Sequence, residues 1–287
     1  MTKYDLVNID TTFEGYQKLI NLYHEYRYRN NEQLELNLKT WFSGNLCATL
    51  GGLLDLLKDE MITINFGNIE NRIETIMRKN GFLSHYFYTA YSDKYQTTIR
   101  YLKLKPKDGK YFFNYIQSEL LNHPDLPKMS TILKSKIAES IFEIFTNAQI
   151  HSETKSIYAC GQYFPKKHII EFTITDTGRG FKEIISSFFN KDVRADLAIK
   201  WAFENTHSTK QHVSGGIGLS ILKEFIDLNK GIIQVVSNNG YYKIDQDGEV
   251  MKLFRGSFPG SAINMQFRTD DVNSYSLANE PGLDDLF

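Results

Sequence analysis

Apolar positions along the chain change period several times, and each change marks an element. After a polar, tyrosine-rich lead, GYQKLINLYHEYRYRN repeats at helical spacing. The run WFSGNLCATLGGLLDLLKDE, from Trp41 to Glu60, predicts a second helix; Gly51 and Gly52 weaken it but permit close packing against a sheet. MITINF, residues 61–66, reads as a short buried strand, and NIENRIETIMRKNGF as a helix stopped near Gly81. TTIRYLKLK, residues 97–105, alternates as a strand, is broken at Asp108-Gly109, and leads into the helix YFFNYIQSELLN.

NHPDLPKM, residues 122–129, interrupts this pattern, because its two prolines disfavour a continuing helix. Ser130 or Thr131 caps the next helix, whose packing face is Ile137, Ile141, Ile144, Phe145 and Ala148. The strand IYAC follows, then IIEFTIT, residues 169–175, apolar enough for a central sheet position. FKEIISSFF and DLAIKWAFE predict short helices, THSTKQHVSGG a loop, and IGLSILKEFIDLNK, residues 217–230, a strong helix. IIQVVSN is a strand, Asn238–Gly240 a turn, and YYKI, VMKLF and AINMQF are further strands. The expected organisation is a mixed α/β domain over residues 1–125, an α/β (α+β two-layer) domain over 126–268, and a loose acidic tail over 269–287.

Composition narrows the class. Hydrophobic residues make up 41% and charged residues 23%, which suits a soluble globular protein and not a disordered one. A net charge of -1 gives no indication of nucleic-acid binding. Cys47 and Cys160 each sit among apolar residues and read as reduced core thiols. No window is apolar over the roughly 18 residues a membrane helix needs, and no signal peptide is visible, so a cytoplasmic location without membrane contact is expected.

The candidate chemistry concentrates between Ser130 and Phe181. Glu143, Asn147 and His151 are spaced four apart, which places them on one helical stripe. Asp176 ends a strand and enters a turn with Gly178 and Gly180. A carboxylate there can accept hydrogen bonds from an exocyclic amine, Asn147 offers an oxygen to a hard cation such as Mg²⁺, and Glu143 can act as a base. Gly215-Gly216-Ile217-Gly218 opens a helix, where backbone N–H groups can face phosphate oxygens. Each signal is modest alone, and neither glycine run is a phosphate loop ending in Gly-Lys-Ser/Thr.

In combination and in order, EIFTNAQIH, DTGRGF and SGGIGLSI resemble the conserved boxes of the GHKL ATPase/kinase superfamily. That superfamily includes gyrase, heat-shock chaperone ATPases, MutL-type repair proteins and histidine kinases. His151 four residues after Asn147 is most similar to the anti-sigma-factor serine kinases, and Gly260-Ser261 resembles the family's final Gly-Thr element. The resemblance covers roughly residues 128–268 and implies a Bergerat-type ATP-binding fold. It implies ATP and Mg²⁺ as cofactors, with Glu143 as the catalytic base, Asn147 as the metal ligand and Asp176 as the reader of the adenine amino group. Gly178 and Gly180 would shape the base pocket; Gly215, Gly216 and Gly218 would approach the phosphates; Ser208, Thr209 and Lys210 would form the end of a lid; Ser261 would stand for the usual Thr. Arg179 is read either as a nucleotide contact or as a solvent-facing group.

The implied function is ATP-dependent regulation, by hydrolysis or by phosphorylation of a protein partner, with homodimerisation allowed. The alternative is an ATP-gated interaction module without appreciable turnover. In the first domain INFGNIENRIETIMRKNGF is similar to STAS domains, although it lacks a phosphorylatable Asp-Ser signature. No helix with a phosphoacceptor His precedes the nucleotide region, which argues against a sensor histidine kinase.

Overall fold

Where the sequence suggests a polar lead, the chain opens with a strand. The computed structural model describes residues 2–204, 217–278 and 280. Its first elements are β1 (Thr2–Leu6), α1 (Phe13–Tyr26), β2 (Gln33–Leu38), α2 (Cys47–Asp59), β3 (Thr63–Ile69) and α3 (Asn71–Lys79). The three strands form a parallel sheet in the order β1-β2-β3. β1 and β2 are short and carry charged or amide side chains, so they escape a reading by apolar runs. β3 is an edge strand, with Thr63, Asn65, Gly67 and Asn68 exposed, and not the buried strand expected there. α2 is buried on nearly every side, which fits a helix apolar all round.

The remaining elements are β4 (Thr98–Leu104), α4 (Gly109–Tyr115), β5 (Lys128–Met129), α5 (Thr131–His151), β6 (Ile157–Phe164), β7 (Ile169–Asp176), α6 (Phe181–Phe189), α7 (Ala195–Phe203), α8 (Ile217–Leu228), β8 (Ile232–Asp245), β9 (Gly248–Arg268) and β10 (Ser274–Tyr275). A five-stranded sheet runs β4-β6-β7-β9-β8, and each neighbouring pair is antiparallel. β7 is its central strand and is buried at every position, as its apolar run predicts.

The expected turn at Asn238–Gly240 is instead an irregularity within β8. The register with β9 shifts on both sides of Asn238, and the hairpin reverses at Asp245–Gly248. Asn238 adopts φ 51°, and a Cβ at Gly240 would lie 2.7 Å from the Ala195 carbonyl carbon. The Asn-Gly signal therefore marks a bulge beneath α7, not a chain reversal. The described part of the tail is tied down as well. β10 pairs with β5, Ser130 N donates to Tyr275 O at 2.8 Å, and Ser130 Oγ donates to Glu280 Oε1 at 2.6 Å.

α5 begins where expected: Ser130 Oγ accepts from Leu133 N at 3.0 Å. Its face of Ile137, Ile141, Ile144, Phe145 and Ala148 is buried against Ile170, Phe172 and Ile174 of β7 and against the Phe225 side of α8. Ile99, Leu102, Leu104, Phe112 and Leu126 contribute to this same core, whereas Tyr101 belongs to the other one. A second core lies on the other side of the sheet, where α1 and α2 are packed between it and the parallel sheet. The architecture is thus mixed α/β with two domains, and the five-stranded sheet is the wall between their cores. Among the described residues, no helix is long and apolar enough to cross a membrane.

Candidate functional site

β7 brings Asp176 to the sheet end on the α5 side, the same side as Ile170, Phe172 and Ile174. Register places Asp176 beside Ser261 on β9, and Ser261 beside Ser237 on β8. The predicted Asp176 and Ser261 are thereby brought together by three strands of one sheet. Ser237 Oγ lies 3.0 Å from Ser261 Oγ and donates to Gly260 O at 2.9 Å. Gly260 has φ 106°, and a Cβ there would meet Asp176 O at 2.3 Å, so glycine is required on both counts.

The Asp176 carboxyl is only 7% exposed. Its Oδ1 accepts from Gly178 N at 3.0 Å, and among the described residues it has no ion-pair partner. Burial raises its pKa to about 7, against the opposing pull of the Gly178 N–H and the Ser152 hydroxyl. With the Gly178 N–H and the Ser152 hydroxyl beside it and no cation among the described residues, this buried carboxyl has capacity left for a further donor.

The turn after Asp176 is locked to the end of α5. Ser152, directly after His151, donates from N and from Oγ to Ala148 O, at 3.2 and 2.5 Å. Its carbonyl accepts from Arg179 N at 2.5 Å. A Cβ at Gly178 would stand 1.8 Å from that carbonyl oxygen. Gly180 opens α6 without a capping side chain of its own. The cap comes from β8: Phe181 N donates to Ser237 Oγ at 2.9 Å and Lys182 N to Asn238 Oδ1 at 3.0 Å. A Cβ at Gly180 would stand 2.1 Å from Asn238 Oδ1. Both glycines therefore have a packing reason for having no side chain. Arg179 faces outward, donating to Glu153 at 3.3 Å and to Ser187 at 3.2 Å.

Glu143 and Asn147 are half-buried on α5, and Asn147 lies about one turn before the Ser152 anchor. Neither side chain has a hydrogen-bond or ion-pair partner among the described residues. α8 packs along α5, so Gly218, in its first turn, belongs to the helix beside this stripe. Ser208, Thr209, Lys210, Gly215 and Gly216 lie outside the described residues. Among those described, no group of three or more His, Cys, Asp or Glu side chains is placed to hold a metal. An open cleft of about 490 Å³ lies elsewhere, between α8 and the β8–β9 turn, lined among others by Lys223, Asp227 and Asp245, and it contains none of the predicted site residues.

Sequence reasoning passes over Ser152, Ser237 and Asn238. Each is a small polar residue whose role arises from a partner far away in the chain, and only Asn238, two residues before Gly240, leaves a local trace. No model of a known protein family matches the chain, and no curated protein matches it significantly.

Proposed function

We propose that the Asp176 turn, the Glu143/Asn147 stripe and the start of α8 form an ATP site of GHKL type, on a Bergerat-like domain. The observation that carries this reading is the buried Asp176 carboxyl, which has no cation partner among the described residues and stands in register with Ser261 at the end of the sheet. A purine amino group would supply the missing donor, while Ser261 offers a hydroxyl next to it. Asn147, whose side chain has no partner among the described residues, would offer an oxygen to a magnesium ion held mainly by phosphate oxygens and water, which would neutralise charge on the transferring phosphate. Glu143 would take a proton from water in hydrolysis, or from a protein hydroxyl in kinase action.

One observation favours the second reading, an ATP-gated interaction module with little turnover. Among the described residues nothing orients Glu143, whereas a general base is normally held by a neighbour. Nucleotide titration of the wild type and of Asp176→Ala tests the site itself. Wild type should bind ATP with Mg²⁺, and the variant should lose on the order of 100-fold in affinity, as for a buried polar contact left unmade. Absence of binding by wild type to ATP and ADP would sink the assignment. Single-turnover ATP consumption by wild type and by Glu143→Ala then separates catalysis from gating.

A further inference from the structure

The far side of the Asp176 turn is occupied by the N-terminal domain. Asn45, Thr49 and Gly52 fall at i, i+4 and i+7, so they share one face of α2 and the turn before it. Opposite them, Thr173 and Thr175 point to the same side of β7, and Thr177 follows two residues later. Four helical residues advance about 6 Å and two strand residues about 6.7 Å, so Asn45 and Thr49 match Thr173 and Thr175, and Gly52 follows on the Thr177 side.

The contacts follow that register. Asn45 Nδ2 donates to Thr173 Oγ1 at 3.0 Å, and Thr49 Oγ1 lies 3.2 Å from Thr175 Oγ1. A Cβ at Gly52 would be 2.9 Å from Thr177 Cγ2 and 3.4 Å from the Tyr158 ring. Thr175 and Thr177 are the two neighbours of Asp176, so α2 touches the chain immediately before and immediately after the candidate base-reading residue. The helix is also fixed along its length. Asp55 accepts from Tyr158 Oη at 2.8 Å and from Lys103 Nζ at 2.7 Å, and Gly51 leaves room for the Tyr101 hydroxyl.

We propose that α2 is a positioning element for the Asp176 carboxylate, acting through Thr49 and Gly52, so that nucleotide binding and the seating of the N-terminal domain are coupled. This rests on the ATP reading above. Whatever displaces α2 moves Thr175 and Thr177, and with them the direction of the carboxylate. By reciprocity, a nucleotide held by that carboxylate tightens the seating of α2. The N-terminal domain would thus set the affinity and base preference of the site without touching the nucleotide.

The test compares dissociation constants for Mg–ATP and Mg–GTP in the full chain. Wild type should prefer ATP. Gly52→Val should raise the ATP constant about tenfold and leave GTP nearly unchanged, so the preference collapses. A loss of folded protein would weaken both nucleotides alike. Thr49→Val should shift the ratio in the same direction by less, and Thr49→Ser, which keeps the hydroxyl, should restore it. An unchanged ratio in folded Gly52→Val overturns the coupling. If that variant does not fold, an unchanged ratio in Thr49→Val does so. Wild type binding neither nucleotide overturns the ATP reading and the coupling together, whereas binding with unmoved ratios overturns the coupling alone.

Discussion

The two faces of the five-stranded sheet are built from different chemistry. Toward α5 and α8 the central strands present Ile170, Phe172, Ile174, Val235, Ile263, Met265 and Phe267, with polar groups only at the Asp176 end. Toward the N-terminal domain the same strands present Glu171, Thr173, Thr175, Gln234 and Asn264, all buried. Those groups are tied across the boundary. Thr11 Oγ1 donates to Glu171 at 2.6 Å, Gln234 donates to Thr11 O, and Gly44 N donates to Gln162 at 2.5 Å. Asn264 is the hub: it accepts from Asn45 at 3.0 Å and Thr173 at 2.8 Å, and donates to Gln234 at 3.0 Å. An apolar face adheres in almost any register, because burial has no direction. A hydrogen-bonded face adheres in only one, because each misplaced partner leaves a desolvated group unsatisfied. The first face holds a domain together; the second specifies where a second domain sits.

The largest expected effect lies on the apolar face. Phe172→Ala should cost about 3–5 kcal/mol in denaturant unfolding, since Phe172 is fully buried. A loss below 1 kcal/mol would mean that this face is not the principal core. On the polar face, Glu171 makes stability depend on pH. Its ordinary carboxyl pKa of 4.5 is raised by burial to about 7, with the Thr11 hydroxyl pulling the other way. Between those values the folded chain keeps a proton that the unfolded chain releases, so stability falls as pH rises from 4.5 to about 7. Glu171→Gln keeps an acceptor for Thr11 and removes the titration. At about 1.4 kcal/mol per pH unit, the variant should be more stable than wild type by roughly 3 kcal/mol at pH 8, with no such advantage at pH 4. Parallel stability curves for the two proteins would contradict this. The smallest effect is expected for Asn264→Ala, about 1–3 kcal/mol, but it should be selective. Proteolysis should begin in the α1–α2 region before the α5–α8 core is touched. Simultaneous digestion of both would erase the distinction between the faces.

The same contrast decides what was legible in the sequence. α5 and β7 could be read because their apolar residues face bulk core at a regular period, and Ile137 to Ala148 pack as that period requires. β1 and β2 could not, since Lys3, Asp5, Glu35 and Asn37 break the apolar run with groups whose partners lie on neighbouring strands. Asn238-Gly240 carries the chemistry of a turn, yet pairing with the long β9 converts it to a bulge. At the candidate site Asp176 and Ser261 stand out beside glycines that the backbone demands. Ser152, Ser237 and Asn238 do not, because a hydroxyl or amide that caps a distant turn looks like any surface Ser or Asn. The polar face of α2 is hidden in the same way: Asn45, Thr49 and Gly52 are too few to interrupt an apolar helix.

The position of β9 in the chain has a consequence for synthesis. α1 completes its packing on the far arm of that strand, where Phe13 stacks on Phe254 with ring centroids 4.4 Å apart, Gly256 lies close to Ile20, and Ser257 hydrogen-bonds His24. At 5–20 residues per second, the ribosome delivers those partners roughly 10 to 50 seconds after α1 has emerged. Throughout that interval the nascent N-terminal domain carries an uncovered apolar surface. It is in that window, before the last long strand arrives, that the chain is most exposed to chaperones and to aggregation.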